Sequence, residues 1–89
     1  MFDPNPVKSD ANMRKHGLTF EQAEGFDWSS ALESRDERKP YLEVRTVAVG
    51  FVGSRLCVLT FTRRGQRIRI ISFRKANDRE ADRFERFYR

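Results

Sequence analysis

The 89-residue chain has a single cysteine, Cys57, and a single histidine, His16. A lone cysteine closes no intrachain disulfide, which excludes a disulfide-stapled secreted scaffold. One Cys and one His also fall short of the usual ligand set of a structural zinc site, so no metal is expected. Apolar residues reach only 38%, below the roughly 45–50% of an average globular domain. That suffices for one modest core in one domain over residues 1–89. It is too little to enclose a flavin-sized group, so any site is a surface groove and no cofactor is called for. No run approaches the roughly 18 apolar residues of a membrane span. The start of the chain lacks the basic-then-apolar pattern of a secretory leader. A soluble cytoplasmic protein without membrane contact is expected.

The chemistry that needs clustered groups is missing as well. The glycines are scattered and form no phosphate-binding loop. No serine sits in an elbow motif, and no carboxylate cluster suggests a two-metal nuclease. Asp36 and Glu37 lie among opposite charges.

Positive charge is abundant, and its placement is informative. From Arg63 to Arg89 there are ten basic and four acidic residues, whereas the first 62 residues carry eight and nine. The whole excess of +5 therefore lies in the C-terminal third. A basic block of this kind suits a polyanion, most often nucleic acid, or an acidic protein segment; it also serves as a solvated face.

The first half of the chain reads as helical. Asn5-Pro6 is a helix start, with Asn as cap and Pro at the first position, and Gly17 is the stop. Lys15 and His16 then fall in the last turn, where the helix dipole favours positive charge. Thr19 and Gln22 have capping-box spacing for a short second helix bearing Phe20 and Ala23, and Phe26 and Trp28 look like core anchors. Ser34–Pro40 reads as an exposed loop. The second half turns to β-branched and aromatic residues. Strands are predicted over Tyr41–Val49, Arg55–Thr62 and Gln66–Phe73, with turns at Gly50–Gly53 and Arg64-Gly65. Short turns make them an antiparallel meander. In the last strand Ile68 and Ile70 share one face; Arg67, Arg69, Ile71 and Phe73 share the other, wet at its arginine end and covered at its Phe73 end. Asn77 and Glu80 cap a final amphipathic helix, with Ala81, Phe84 and Tyr88 on one side and Arg79, Asp82, Arg83 and Arg86 on the other. The class is α+β: a small antiparallel sheet, two N-terminal helices and a C-terminal helix.

What remains is metal-free chemistry on RNA, whose 2′-OH can attack the adjacent phosphate if a base, an acid and cations are supplied. His16 alone has an ordinary pKa near neutrality, though a histidine ending a helix also serves simply to meet its last carbonyls. Arg64 stands at a hairpin tip. Arg69 and Arg74 are on, or at the end of, a strand, which holds charge more accurately than a loop. Arg67 lies on the same strand face as Arg69, and Lys75 either holds a phosphate or merely precedes the helix cap.

Two blocks carry a family resemblance. Asn12-Met13-Arg14-Lys15-His16-Gly17 followed by Thr19-Phe20-Glu21-Gln22-Ala23 resembles the N-terminal signature of the BrnT toxins. The run from Arg64 to Ala76, Arg-Gly-Gln-Arg-Ile-Arg-Ile-Ile-Ser-Phe-Arg-Lys-Ala, resembles their C-terminal signature, and Arg45 and Gly50 fall where that family has a strand ending in Gly. The resemblance implies a RelE-like fold and a ribonuclease toxin of a type II toxin–antitoxin system that arrests translation. Its implied partner is a BrnA-like antitoxin with a ribbon-helix-helix DNA-binding domain, in a heterotetramer that touches operator DNA only through the antitoxin. His16, Lys15, Arg64, Arg69 and Arg74 are the matched polar residues, cast as catalytic, with Arg67 and Lys75 as RNA contacts. Arg63 departs from the pattern, which often has an acid there, as do Pro4 and Asn5. The alternative is a non-catalytic basic module acting as corepressor with a DNA-binding partner.

Overall fold

In the computed structural model, which describes residues 1–89, helix α1 (Pro6–His16) begins and ends where its local chemistry demands. Asn5 Oδ1 accepts from Lys8 N at 3.1 Å, and Gly17 takes the left-handed conformation (φ 76°), its N–H donating to Met13 O at 2.8 Å. The short second helix, Phe20–Gly25, is a 3-10 helix. Its predicted cap is present: Gln22 Oε1 accepts from Thr19 N at 2.8 Å. Helix α2 (Asp78–Tyr88) starts with a reciprocal box in which Asn77 Oδ1 accepts from Glu80 N at 2.8 Å and Glu80 Oε1 from Asn77 N at 2.9 Å.

Between the helices lies an antiparallel sheet of four strands in sequential order: β1 (Leu32–Arg35), β2 (Thr46–Val52), β3 (Arg55–Arg64) and β4 (Arg67–Lys75). The meander is as expected, but it has one strand more than the three predicted. Leu32–Arg35 pairs with Thr46–Val49, so the segment read as a loop from Ser34 begins as an edge strand. Gly50 is not in a turn either. It is buried in β2, where a Cβ would stand 2.7 Å from Phe26 Cζ and 3.1 Å from Ala31 Cβ; the turn is at Gly53, with φ 62°. Gly50→Ala is therefore expected to cost about 1–3 kcal/mol through overpacking, measurable as a lower urea midpoint with an unchanged slope.

The register of β3 against β4 decides which side chains share a face. Thr60 pairs with Ser72 but Phe61 pairs with Ile70, so Ile71 is the extra residue of a β-bulge. Strict alternation put Phe73 beside Arg69. The bulge instead turns Phe73 to the Ile68–Ile70 face, where it is fully buried, and sends Arg74 to the face of Arg69. That first face meets α1 and the 3-10 helix and holds the main core: Leu18, Phe20, Phe26, Leu59, Phe61 and Phe73 with their neighbours. Trp28 packs edge-on to Phe61 and Phe26. The second face carries α2, whose Phe84 ring meets Phe51 edge-on, and the loop running from Asp36 to Arg45. No helix is long and apolar enough to cross a membrane.

Candidate functional site

One buried side chain sets the geometry of the site. β4 is the last strand of the sheet, and its outward peptide groups need partners from outside it: at Ile68 the N-terminal segment supplies them, through Met1 O and Asp3 N, both at 2.8 Å. At Phe73 the Asn12 amide fills that role: Nδ2 donates to Phe73 O at 2.7 Å and Oδ1 accepts from Phe73 N at 3.1 Å. The same Nδ2 donates to Leu18 O at 2.7 Å. Asn12 thus pins the last turn of α1 to the strand one residue before Arg74. Ser9, one turn earlier, accepts from Phe20 N at 2.8 Å and fixes the other end of the connection.

His16 ends α1, half-buried at the margin of the main core. Its pKa lies below the ordinary 6.5, through partial burial and then the charges of Lys15 and Arg74. Near neutral pH the imidazole is thus mainly neutral and able to accept a proton. Lys15 is exposed beside it. Arg74 is oriented by Glu80, whose two carboxylate oxygens accept from Nη1 and Nη2 at 2.7 and 2.8 Å. That pairing raises the arginine's pKa and holds the Glu80 carboxyl below the usual range. Glu80 therefore both caps α2 and aims Arg74.

The remaining candidates are spread along the sheet. Arg69 and Arg64 lie on the Arg74 face by register, opposite Thr62 and Arg67 respectively. Arg69 is half-buried, and the Oγ1 of its neighbour Thr62 is buried without a hydrogen-bond partner. Arg64 is exposed at the hairpin end and faces Glu43 at 3.7 Å. Its partner position on β4 is seven residues from Arg74, roughly 20 Å along the strand. Arg67 is committed to the N-terminal segment: it ion-pairs with Asp3 and donates to Phe2 O at 3.1 Å. Lys75 is exposed, opposite Cys57 and on the other face from Arg74. Arg63 also points to the other face, bound by Glu33 at 3.1 and 3.3 Å. So His16, Lys15 and Arg74 share one corner, Arg69 and Arg64 continue from it along the second face, and Arg67 and Lys75 stand apart.

Sequence reasoning missed three residues: Glu80 at this corner, and Asp36 with Arg38 in the loop between β1 and β2. Glu80 was read only as a cap. Asp36 and Arg38 were assigned to a solvated loop, but the Asp36 side chain is only 2% exposed and accepts from Arg38 Nε and Nη2, both at 2.9 Å, and from Tyr41 Oη at 3.3 Å. The Arg38 guanidinium holds that carboxyl down to about 2. The only advance signal was an acid two residues before an arginine, which is common in exposed turns.

No three of the His, Cys, Asp and Glu side chains converge as a metal-binding group. The assembled corner offers a neutral imidazole, an ammonium and an oriented guanidinium, a set suited to moving a proton beside a phosphate. A family model described as "Ribonuclease toxin, BrnT, of type II toxin-antitoxin system" matches residues 2–80. No curated protein matches the chain significantly.

Proposed function

The chain belongs to the BrnT family of ribonuclease toxins of type II toxin–antitoxin systems, and from that premise we propose that it cleaves RNA at the His16–Arg74 corner without a metal ion and so inhibits translation. His16 takes the proton of a ribose 2′-OH as the 2′ oxygen attacks the adjacent phosphorus. Arg74 and Lys15 face the charge gathering on the phosphoryl oxygens. The bond to the 5′ oxygen then breaks, and Lys15 supplies the proton that oxygen needs. Arg69 and Arg64 carry the strand onward along the second face. Arg67 and Lys75, proposed as RNA contacts from the sequence, take a lesser part: one holds the N-terminal segment and the other faces away.

The observation that carries the reading is the Asn12–Phe73 pairing, which holds the helix end bearing His16 against the strand bearing Arg74. A type II toxin has an antitoxin partner; we take it to be a BrnA-like ribbon-helix-helix protein, joined in a heterotetramer, with operator DNA met only through it, and the toxin fold to be RelE-like. The corepressor alternative drew on the missing acid at position 63. Arg63 lies on the opposite face from Arg64, Arg69 and Arg74, so its charge does not weigh against the corner.

The test is cleavage of a labelled RNA by the purified protein in EDTA, with and without the neighbouring antitoxin. Cleavage in EDTA that the antitoxin abolishes is the expected result. Cleavage only after magnesium is restored would overturn the metal-free mechanism, and none in either condition would leave the corepressor reading.

A further inference from the structure

Helix α2 is held to the sheet by very little. Of its eleven residues only Phe84 is buried. The Phe84 ring meets Phe51 of β2 edge-on, with the centroids 5.5 Å apart. One turn on, Tyr88 Oη donates to Ser30 O from a half-exposed side chain, and Phe87 beside it is more exposed still. A cavity of about 630 Å³ opens along the seam, lined by Phe51, Leu56, Ala81, Phe84 and Tyr88. An isolated helix of this length is marginal in water, so α2 depends on that one seated ring and on its N-terminal cap. Elements attached in this way open locally at a small part of the cost of global unfolding.

The first turn of α2 nevertheless reaches the candidate site. Glu80 Oε1 accepts from Asn77 N at 2.9 Å and from Arg74 Nη1 at 2.7 Å, and Oε2 accepts from Arg74 Nη2 at 2.8 Å. Both terminal nitrogens of the guanidinium are thus fixed to a carboxylate that the helix carries. From β4 itself the guanidinium receives only the Lys75 carbonyl, which accepts from Nη1 at 3.3 Å. Arg74 Nε has no partner in the protein and belongs to the edge left for a ligand. The strand fixes where this side chain begins, but its long stem has many rotamers to choose among. The direction of the guanidinium is set from α2. Phe84 stands four residues after Glu80 and on the same side of the helix, so one rigid turn joins the seat to the carboxylate.

We propose that Phe84 is a positioning residue for RNA cleavage: its seat on Phe51 holds α2 in place, and α2, through Glu80, holds the Arg74 guanidinium toward the scissile phosphate. The proposal rests on the RNA-cleaving reading above and adds a dependence to it. The corner is competent only while α2 lies on the sheet, and displacement of the helix releases Arg74.

The experiment applies two readouts to Phe84→Ala and Glu80→Gln. Phe84 lies outside the main core, so Phe84→Ala should stay folded. Glu80→Gln keeps an acceptor for Asn77 N, as a capping box allows, and loses the charge that grips Arg74. Nitrogen-15 NMR of the Arg74 side chain follows rotation about its Nε–Cζ bond, which should be slow in wild type and fast in both variants. In RNA cleavage, kcat and kcat/KM should fall together by on the order of ten- to a hundred-fold, as for a misplaced group that acts in the transition state. In an Arg74→Gln background the same two substitutions should change kcat by less than about two-fold, because nothing is left to aim. General damage to the fold would lower both backgrounds alike. Arg86→Ala, on the exposed side of α2, should leave both readouts unchanged. Slow rotation of Arg74 in Phe84→Ala, or equal losses of kcat in the two backgrounds, would overturn the proposal with the RNA reading intact. A wild-type protein that cuts no RNA would remove the RNA reading and the catalytic part of the proposal together, and the NMR comparison would still decide whether α2 holds Arg74.

Discussion

Replacing His16 with glutamine is expected to lower RNA cleavage by roughly 10²–10⁴-fold, the usual contribution of a positioned general base. Glutamine keeps hydrogen-bonding capacity and size but cannot take a proton at any working pH. The pH dependence gives a sharper reading than the rate alone. His16 has its pKa lowered below 6.5 by partial burial and by the charges of Lys15 and Arg74. A base acts in its deprotonated form, so kcat/KM should fall as pH drops through a point below 6.5. That acid limb should vanish in His16→Gln. It should move upward in Arg74→Gln, since removing a neighbouring positive charge makes protonation of the imidazole easier. A variant with wild-type cleavage, or an acid limb that survives in His16→Gln, would reject His16 as the base. His16→Gln should melt like the wild type, because the side chain lies outside the main core.

The local features of this fold were legible because they depend on a few adjacent residues. Asn5-Pro6, Gly17, the Thr19–Gln22 pair and the Asn77–Glu80 pair each act through backbone groups three or four residues away, and each is found where its chemistry indicates. What went unread depends on distant parts of the chain. Leu32-Glu33-Ser34-Arg35 has neither the alternation nor the β-branched content of a strand; it becomes one because β2 offers an open edge. The bulge at Ile71 is invisible to a period of two, yet it reverses the faces of Phe73 and Arg74. Without that reversal Arg69 and Arg74 would lie on opposite sides of the sheet. Asp36 reads as a loop acid until the loop folds over the second face and buries it. The sequence singled out polar residues in two blocks; only the tertiary structure divides them, bringing His16, Lys15 and Arg74 to one corner and leaving Arg64 at the far end of the hairpin.

Loss of Asn12 should be the most damaging single change to that arrangement. In Asn12→Ala the Phe73 N–H, its carbonyl and the Leu18 carbonyl all lose a partner at a site that is almost entirely buried. An unsatisfied buried group costs about 1–3 kcal/mol. Partial entry of water lowers the sum, and a net loss of about 2–4 kcal/mol is expected. A domain of this length has a total of only about 4–13 kcal/mol to lose, so the melting temperature should fall by on the order of 10–25 °C. Asn12→Asp should be no milder. It keeps an acceptor for Phe73 N–H, but it sets a carboxylate oxygen against two carbonyls in place of a donor. Hydrogen exchange separates this account from general core damage: the Phe73 amide should exchange far faster in Asn12→Ala than the Leu59 amide on the adjoining strand. At a temperature where the variant is still folded, cleavage should fall as well, because the pairing that fixes the end of α1 against β4 is gone. Melting within 2 °C of wild type would show that the strand edge needs no partner at Phe73, and would take away the physical link between the imidazole and the arginine.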